Sequence, residues 1–159
     1  MAVYSTYFDS PIGILQVSCD EVNIVSIKFI DSPGKMIMDD HPLLNQSVQQ
    51  LKDYFSGRRM ILEIPHVQPG TDFQQKIWEL LVKIPFGKTI TYKQLTAQFG
   101  DMKAIRAVAS ANGKNDLAIL VPCHRVIGSN GSLTGYAGGL WRKKWLLDHE
   151  SKFRQGEMF

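Results

Sequence analysis

Cysteine is scarce in this chain, and long apolar runs are absent. Only Cys19 and Cys123 occur among its 159 residues, and no apolar run approaches the ~20 residues of a membrane-spanning helix. The first residues have no basic region followed by an apolar core, so no signal peptide is predicted. These features favour free thiols in a reducing compartment and predict a cytoplasmic protein, or a nuclear one in a eukaryotic source. No metal is expected, because the cysteines would need His41 or His66 and the spacings match no zinc motif.

Charge is distributed unevenly along the chain. Residues 1–69 contain 5 Lys or Arg against 8 Asp or Glu, whereas residues 70–159 contain 13 against 7. An excess of basic charge favours a polyanionic partner, and nucleic acid is the obvious candidate. A solvated basic surface would explain the same composition, so charge alone leaves both interpretations open.

The N-terminal part shows the alternation that is typical of strands. Apolar residues recur with a period of two in three segments, at residues 3–8, 14–19 and 24–30. Cys19 falls on the apolar face of the second segment, which makes it a packing residue without chemistry. Val25 is expected to point inward with Ile27 and Phe29. A helix ending near Phe55 follows, and residues 59–64 could form another strand.

Two motifs mark the beginnings of helices in the C-terminal part. The composition changes near Pro65–Gly70, which predicts domains over 1–68 and 69–159. Thr71 and Thr91 each begin a capping box, so each is expected to start a helix. A third helix is predicted over residues 102–112, and a tight glycine turn before it is typical of a helix-turn-helix.

The third predicted helix has two unlike faces. Ala107 belongs to a stripe of small residues that can pack closely, whereas Lys103, Arg106 and Ser110 share another face. Arg106 therefore projects from a slim helix, which suits entry into a groove of DNA. A solvated surface arginine is the plainer alternative. Beyond this helix, a hairpin is predicted between strands at 125–127 and 133–136, followed by a helix over Leu140–Glu150.

Cys123 stands in the stretch Val-Pro-Cys-His-Arg-Val. A thiolate is a strong nucleophile, and the adjacent His124 is a natural base to generate it. Neighbouring residues on an extended segment point apart, so a bridging water would have to relay the proton. Most free cysteines are core residues, and the tripeptide by itself does not decide between a nucleophile and a packing residue.

Five motifs occur in order, namely Thr91-Tyr92, Arg106-Ala107-Val108, Asn115, Pro122-Cys123-His124-Arg125-Val126 and Tyr136-Ala137-Gly138-Gly139. Together they resemble the O6-alkylguanine-DNA alkyltransferases, also called methylated-DNA–protein-cysteine methyltransferases. The resemblance covers about half of the chain, and the N-terminal half matches only in size and strand pattern. It implies an α/β (α+β) fold, with a small ribonuclease H-like N-terminal domain of sheet and helix and a helical C-terminal domain containing a winged helix-turn-helix.

The resemblance also implies a reaction. The alkyl group of O6-alkylguanine in double-stranded DNA, and also of O4-alkylthymine, would pass to Cys123 once per molecule without a cofactor. His124 would accept the thiol proton through water, Glu150 would orient the imidazole, and Asn115 would connect the helix-turn-helix to the active-site loop. Arg125 is expected to hold the loop by an ion pair.

Contacts to DNA are implied by the same resemblance. The protein would bind the minor groove as a monomer and rotate the damaged base out of the stack, because the thiolate cannot reach an atom inside a duplex. Arg106 would fill the vacated place, and Tyr92 would push on the backbone and approach N3 of the base. The carbonyls of Cys123 and Val126 would read the exocyclic amine. The remaining binding residues are Tyr136, Ala137, Gly138, Ala107 and Ser110.

Three other functions compete with alkyl transfer. A non-catalytic sensor would share the scaffold and flip the base, but such proteins replace the reactive cysteine. A thiol hydrolase would leave Arg106 and the helix-turn-helix unexplained, and a transcription regulator would make Cys123 incidental. One departure from the family pattern is Asp116, which stands where proline is usual.

Overall fold

The computed structural model of the protein describes residues 2–32 and 34–155. It divides into two compact units. The first contains the residues up to Gln68 together with Asp116–Leu120, and the second contains Pro69–Asn115 and the residues from Val121 onward. The division at residue 68 expected from the sequence placed Asp116–Leu120 in the second unit, whereas this segment packs with the first.

An antiparallel sheet and one helix form most of the first unit. The strands are β1 (Tyr4–Ser10), β2 (Gly13–Cys19) and β3 (Ile24–Ile30), in the order β1-β2-β3. Leu15, Val17 and Cys19 are buried on β2, as their alternation predicts. Helix α1 (Pro42–Phe55) begins where the His41 ring accepts a hydrogen bond from the Leu43 amide.

A bulge in the sheet reverses one predicted orientation. Ser18 pairs with Ser26, but the next residue, Cys19, pairs with Ile24, so β3 has an extra residue at this point. The bulge shifts the alternation, and Ile24 is buried while Val25 is only partly covered. The expectation that Val25 points into the core was therefore wrong.

Two connecting segments pair with β3. Residues 59–64 do not form the predicted strand, and the pairing begins only at His66, which bridges to Ile24. The Asp116–Leu120 segment pairs with Ile27, because the Ile27 amide donates to the Asp116 carbonyl and the Ala118 amide donates to that of Ile27. Both contacts join residues that are distant in sequence, so no local sequence pattern predicts them.

Helices dominate the second unit. They are α2 (Asp72–Val82), α3 (Tyr92–Phe99), α4 (Ile105–Gly113) and α5 (Leu140–Gln155). Both predicted capping boxes are present, with Thr71 accepting from the Gln74 amide and Thr91 from the Gln94 amide. Helices α3 and α4 form the predicted helix-turn-helix. They are joined through Gly100, whose φ of 105° is rarely adopted by residues other than glycine. Within the described residues, no helix is both long and apolar enough to cross a membrane.

The predicted hairpin after Cys123 is not present. Strand β5 (Val126–Ile127) pairs in parallel with β4 (Ile90–Thr91), and residues 133–136 form a loop. The predicted turn at Asn130-Gly131 is present, and the Gly128 amide donates across it to the Ser132 carbonyl. Helix α5 continues past the predicted end at Glu150 to Gln155. The parallel pair places the beginning of α3, with Tyr92, beside the Cys123 loop.

The cap of α2 can be tested by substitution. Thr71→Ala removes the acceptor for the Gln74 amide and should lower the free energy of unfolding by about 1 kcal/mol. Thr71→Ser keeps the hydroxyl, and because serine is at least as good an N-cap as threonine, its free energy of unfolding should stay within ~0.3 kcal/mol of wild type. Urea denaturation of both variants measures the difference, and equal losses would show that the hydroxyl does not carry the cap.

Candidate active site

Cys123 begins a single turn of 3-10 helix, Cys123–Arg125, and does not lie on an extended segment. Two tight turns lead into it. The Leu120 amide donates to the Ala118 carbonyl around Ile119, whose φ of 70° is strained for a β-branched residue. The Cys123 amide donates to the Val121 carbonyl around Pro122. Two consecutive three-residue turns therefore precede Cys123.

The Cys123 thiol is almost completely buried, at 8% exposure. Burial raises its pKa, while a hydrogen bond from the Asn115 side chain and the charge of Lys143 act in the opposite direction. Asn115 also donates from Nδ2 to the Val121 carbonyl at 2.8 Å. Asn115 therefore connects the end of the helix-turn-helix to the loop that bears the thiol.

His124 and Glu150 form a buried pair. The His124 Nε2 atom lies 2.7 Å from Glu150 Oε2, and both side chains are essentially inaccessible to solvent. Burial lowers the pKa of His124 even though Glu150 favours its protonation. The neutral ring donates from Nε2, which leaves the lone pair on Nδ1. Nδ1 has no hydrogen-bond partner among the described residues, so it is available as a base.

Arg125 completes the network around the Glu150 carboxylate. Its Nε donates to Oε1 at 2.8 Å and its second terminal nitrogen donates to Oε2 at 3.0 Å, a two-point contact. Its other terminal nitrogen donates to the Ile84 carbonyl. Burial alone would raise the pKa of Glu150, but His124 and Arg125 outweigh it and hold the pKa below its usual range. The ion pair expected for Arg125 is therefore present.

Tyr92 and Asn112 lie close to the Cys123 loop. The Tyr92 hydroxyl is 3.5 Å from the Thr134 carbonyl and from Nδ2 of Asn112. The same Nδ2 atom is 3.5 Å from the Cys123 carbonyl, and the Asn112 Oδ1 atom is buried without a partner in the described part of the chain. Asn112 was not predicted as a site residue, because it reads as an ordinary polar residue near a helix end.

The loop after residue 133 is attached to α5 by two buried basic side chains. Lys143 is fully buried, and its Nζ donates to the carbonyls of Val126 and Thr134, each at 2.7 Å. Arg142 donates to the Gly138 carbonyl at 3.0 Å. Sequence reasoning missed both residues, although Lys143 is spaced i, i+3 and i+7 with the buried Leu146 and Glu150.

Tyr136, Ala137 and Gly138 lie on this loop. The Tyr136 hydroxyl is buried and lacks a hydrogen-bond partner among the described residues. Burial raises its pKa well above the ordinary value, and the charge of Cys123 adds to the effect. The hydroxyl therefore stays protonated and can act as a donor within the pocket.

Arg106 and Ser110 lie on the exposed surface of α4, away from the buried network. Ala107 is exposed as well, so its expected place in a packing stripe was wrong, and Val108, Ala111 and Asn112 form the buried face instead. Trp78 on α2 anchors this face by donating from its indole nitrogen to the Ala111 carbonyl. The described residues include no cluster of three or more potential metal ligands.

Both units match models of a known family. Residues 72–152 match the DNA-binding domain of 6-O-methylguanine DNA methyltransferase, and residues 3–66 match its ribonuclease-like domain. The chain belongs to this family. The family predicted from the Cys123 motif is confirmed, and with it the enzyme class, a methyltransferase that repairs DNA.

Individual relatives are similar over nearly the whole chain. The methylated-DNA–protein-cysteine methyltransferase of Methanosarcina acetivorans is 40% identical over 93% of this chain and 98% of its own. Mycobacterium tuberculosis O6-methylguanine methyltransferase is 36% identical and superposes with a TM-score of 0.88, over 99% of this chain and 98% of that one. A structure of Mycobacterium tuberculosis OGT in complex with DNA is 38% identical, with a TM-score of 0.85 over 94% of each chain. These similarities confirm the predicted fold class.

The Glu150 network makes a prediction about stability. Glu150→Gln leaves the buried Arg125 guanidinium without its counter-charge and should lower the free energy of unfolding at neutral pH by ~3 kcal/mol. The depressed pKa of Glu150 stabilises the fold above the unfolded pKa of about 4.3, and this contribution is lost as the pH falls. Urea denaturation should therefore show the difference from wild type shrinking below about pH 4.

Asp148→Asn provides the matched control for this prediction. Asp148 lies on the same helix and pairs with Lys144, but both side chains are 66% exposed. Its loss should cost no more than ~0.5 kcal/mol. Equal losses from the two substitutions would contradict the importance assigned to the buried network.

Proposed function

We propose that the protein repairs O6-alkylguanine in DNA by one irreversible alkyl transfer to Cys123, and that O4-alkylthymine is a second substrate. Two sets of contacts support the proposal: the buried Cys123 thiol has the Asn115 side chain as a hydrogen-bond partner, and the next residue, His124, has a neutral imidazole oriented by Glu150, which Arg125 holds in turn. A nucleophile, a base and a group that orients the base are the parts that thiol activation needs.

The proton of the Cys123 thiol passes to Nδ1 of His124 through a water molecule. Glu150 accepts the Nε2 hydrogen and so keeps Nδ1 as the basic atom. The Glu150 carboxylate also stabilises the imidazolium that forms. Arg125 keeps this carboxylate ionised and fixed, which makes it a positioning residue.

The thiolate then attacks the alkyl carbon of the flipped base. An S–C bond forms, the bond between carbon and O6 breaks, and its electron pair passes to the guanine. The Ala137 amide and the buried Tyr136 hydroxyl are donors toward the charge that develops, while Gly138 lines the wall. The Tyr92 hydroxyl donates toward N3, and the guanine recovers the proton that the thiol gave up.

The guanine edge is read by backbone carbonyls that already have partners. The Cys123 carbonyl accepts from the Val126 amide, and the Val126 carbonyl accepts from Lys143. A carbonyl oxygen has two lone pairs, so the Val126 oxygen can accept a second hydrogen bond from the exocyclic amine of guanine. At the Cys123 oxygen the amine would replace the long 3.5 Å contact with Asn112. Their existing bonds keep both oxygens oriented before the base arrives.

The exposed face of α4 binds the DNA. Arg106 and Ser110 lie there with Ala107 between them, and the C-terminal part of the chain contains the excess of basic residues. Small side chains beside Arg106 allow the helix to approach the minor groove closely, and the guanidinium enters the stack where the base has left. The solved relative bound to DNA supports this use of the unit. We propose that one copy acts alone, in the cytoplasm or in a nucleus, where its DNA substrate is found.

The thioether product explains why each molecule would react once. S-alkylcysteine is stable, and Cys19, the other cysteine, is buried in the sheet of the first unit. The sensor alternative is less well supported, because Cys123 is present with its activating groups.

Intact mass measures the transfer directly. Wild-type protein mixed with an O6-methylguanine duplex should gain one methylene per molecule, because the sulfur keeps the methyl group. Cys123→Ala should gain nothing, while Cys19→Ala should react like wild type. Release of free product with a regenerated thiol would exclude the single-turnover mechanism, and binding without any mass gain would favour the sensor.

Arg106 should matter for duplex DNA more than for a free base. Arg106→Ala should slow transfer from a duplex at least ~10-fold, because the extrahelical base loses its replacement in the stack. Transfer from free O6-benzylguanine should change less than about twofold. Lys103→Ala removes a nearby exposed charge and separates charge loss from loss of the inserted side chain. Equal slowing on both substrates by Arg106→Ala would instead indicate a role in the fold.

A further inference from the structure

A fully buried lysine lies between strand β5 and the Thr134–Gly135 segment. Lys143 on α5 has no solvent exposure, and it is not paired with a carboxylate in any described ion pair. Lysine is rarely buried without a reason, since desolvating its charge costs several kcal/mol. The contacts of Nζ indicate what this lysine does.

Three carbonyl oxygens surround Nζ. Those of Val126 and Thr134 lie at 2.7 Å and that of Gly135 lies at 3.4 Å. An ammonium group has three N–H donors, whereas a neutral amine has two and a lone pair that would face an oxygen. The three acceptors therefore suit the charged form, and the Tyr92 ring, 6.0 Å away, adds a favourable aromatic face.

These carbonyls belong to different parts of the site. Val126 follows the Cys123 turn on β5 and is proposed above to read the guanine amine. Thr134 and Gly135 begin the loop that continues to Tyr136 and Ala137, for which no strand pairing exists. Because the hairpin is absent, this loop depends on side chains of α5 for its position.

We propose that Lys143 is a positioning residue for alkyl transfer, whose ammonium group connects the Val126 carbonyl to the Thr134–Gly135 segment and supplies a positive charge to the region of the Cys123 thiol. This inference rests on the function proposed above. It assigns the loop geometry and part of the thiol activation to one side chain that does not touch the reacting atoms.

The electrostatics of the site agree with this role. Burial lowers the pKa of Lys143, and the Cys123 thiolate acts against this by favouring the charged ammonium. Lys143 in turn lowers the pKa of Cys123 against the larger effect of burial. Several other ionisable groups act on the same region and must stay unchanged in a test. They are His124, Arg125, Tyr136, Arg142 and Glu150.

Thiol titration and alkyl transfer together test the proposal. Lys143→Met keeps the length and removes the charge. The ultraviolet absorbance of the thiolate is followed against pH, and the signal of Cys123→Ala is subtracted so that only Cys123 contributes. The midpoint of this titration should rise by about one pH unit in Lys143→Met. Transfer from free O6-benzylguanine should slow at least ~10-fold, in line with that rise. An unchanged midpoint would overturn the electrostatic role, even if transfer were lost through a purely structural effect.

Two further variants keep the test decisive. Lys143→Arg retains the charge but cannot place three N–H groups on the same carbonyls, so the midpoint should stay within ~0.3 units while transfer still slows at least ~10-fold. Transfer at the wild-type rate in Lys143→Arg would overturn the positioning role, and this variant decides if Lys143→Met does not fold. Lys144→Met, from an exposed neighbour, should match wild type in both measurements.

The titration needs no alkylated substrate, so it separates this inference from the proposed function. If wild-type protein failed to acquire an alkyl group, the proposed function would fail. A shifted midpoint in Lys143→Met would then still show that the ammonium group acts on the thiol.

Discussion

One buried carboxylate organises the second unit of this protein. Glu150 accepts hydrogen bonds from His124 and from two nitrogens of Arg125, and its Oε1 is 3.3 Å from the Gly87 amide. An ionised carboxylate this deep is stable only when every lone pair has a partner. The need to supply these partners holds the turn that bears Cys123 against α5 and against the segment that follows α2. Structure and proposed chemistry thus depend on the same contacts, since the imidazole orientation that suits catalysis is also the one that satisfies the buried charge.

Helix α5 extends this arrangement to the rest of the pocket. Arg142 and Lys143, both about two turns before Glu150 on α5, hold the carbonyls of Gly138, Thr134 and Val126. The loop from residue 133 to 139 has no strand partner, so these side-chain contacts replace a backbone ladder. Such a loop can present amides to a ligand, because among the described residues they do not pair with a strand, although the Gly139 amide donates to the Tyr136 carbonyl. The surface proposed to meet DNA, with Arg106, lies separately on α4, so the proposed recognition and chemistry involve different helices of one unit.

Prediction from sequence succeeded where local patterns carry the information. The three strands, the capping boxes at Thr71 and Thr91 and the turn at Gly100 follow from side-chain period and backbone preference, and each is present. It failed where distant segments compete for pairing. The bulge that displaces Val25, the parallel partner of Val126 and the attachment of Asp116–Leu120 to β3 all depend on residues far apart in the chain. Among the site residues, Lys143 was overlooked because lysine normally indicates a surface.

The order of the motifs around Cys123 was enough to determine the family and to predict the nucleophile, since the types of reactive groups and their succession are properties of the chain itself. Tertiary structure decided which of those groups meet and in what state. Whether His124 is neutral, whether Glu150 is ionised and whether a lysine can lie inside the pocket are set by burial and by partners brought from other helices. Such energies depend on distance and solvent access, and neither exists until the chain has folded.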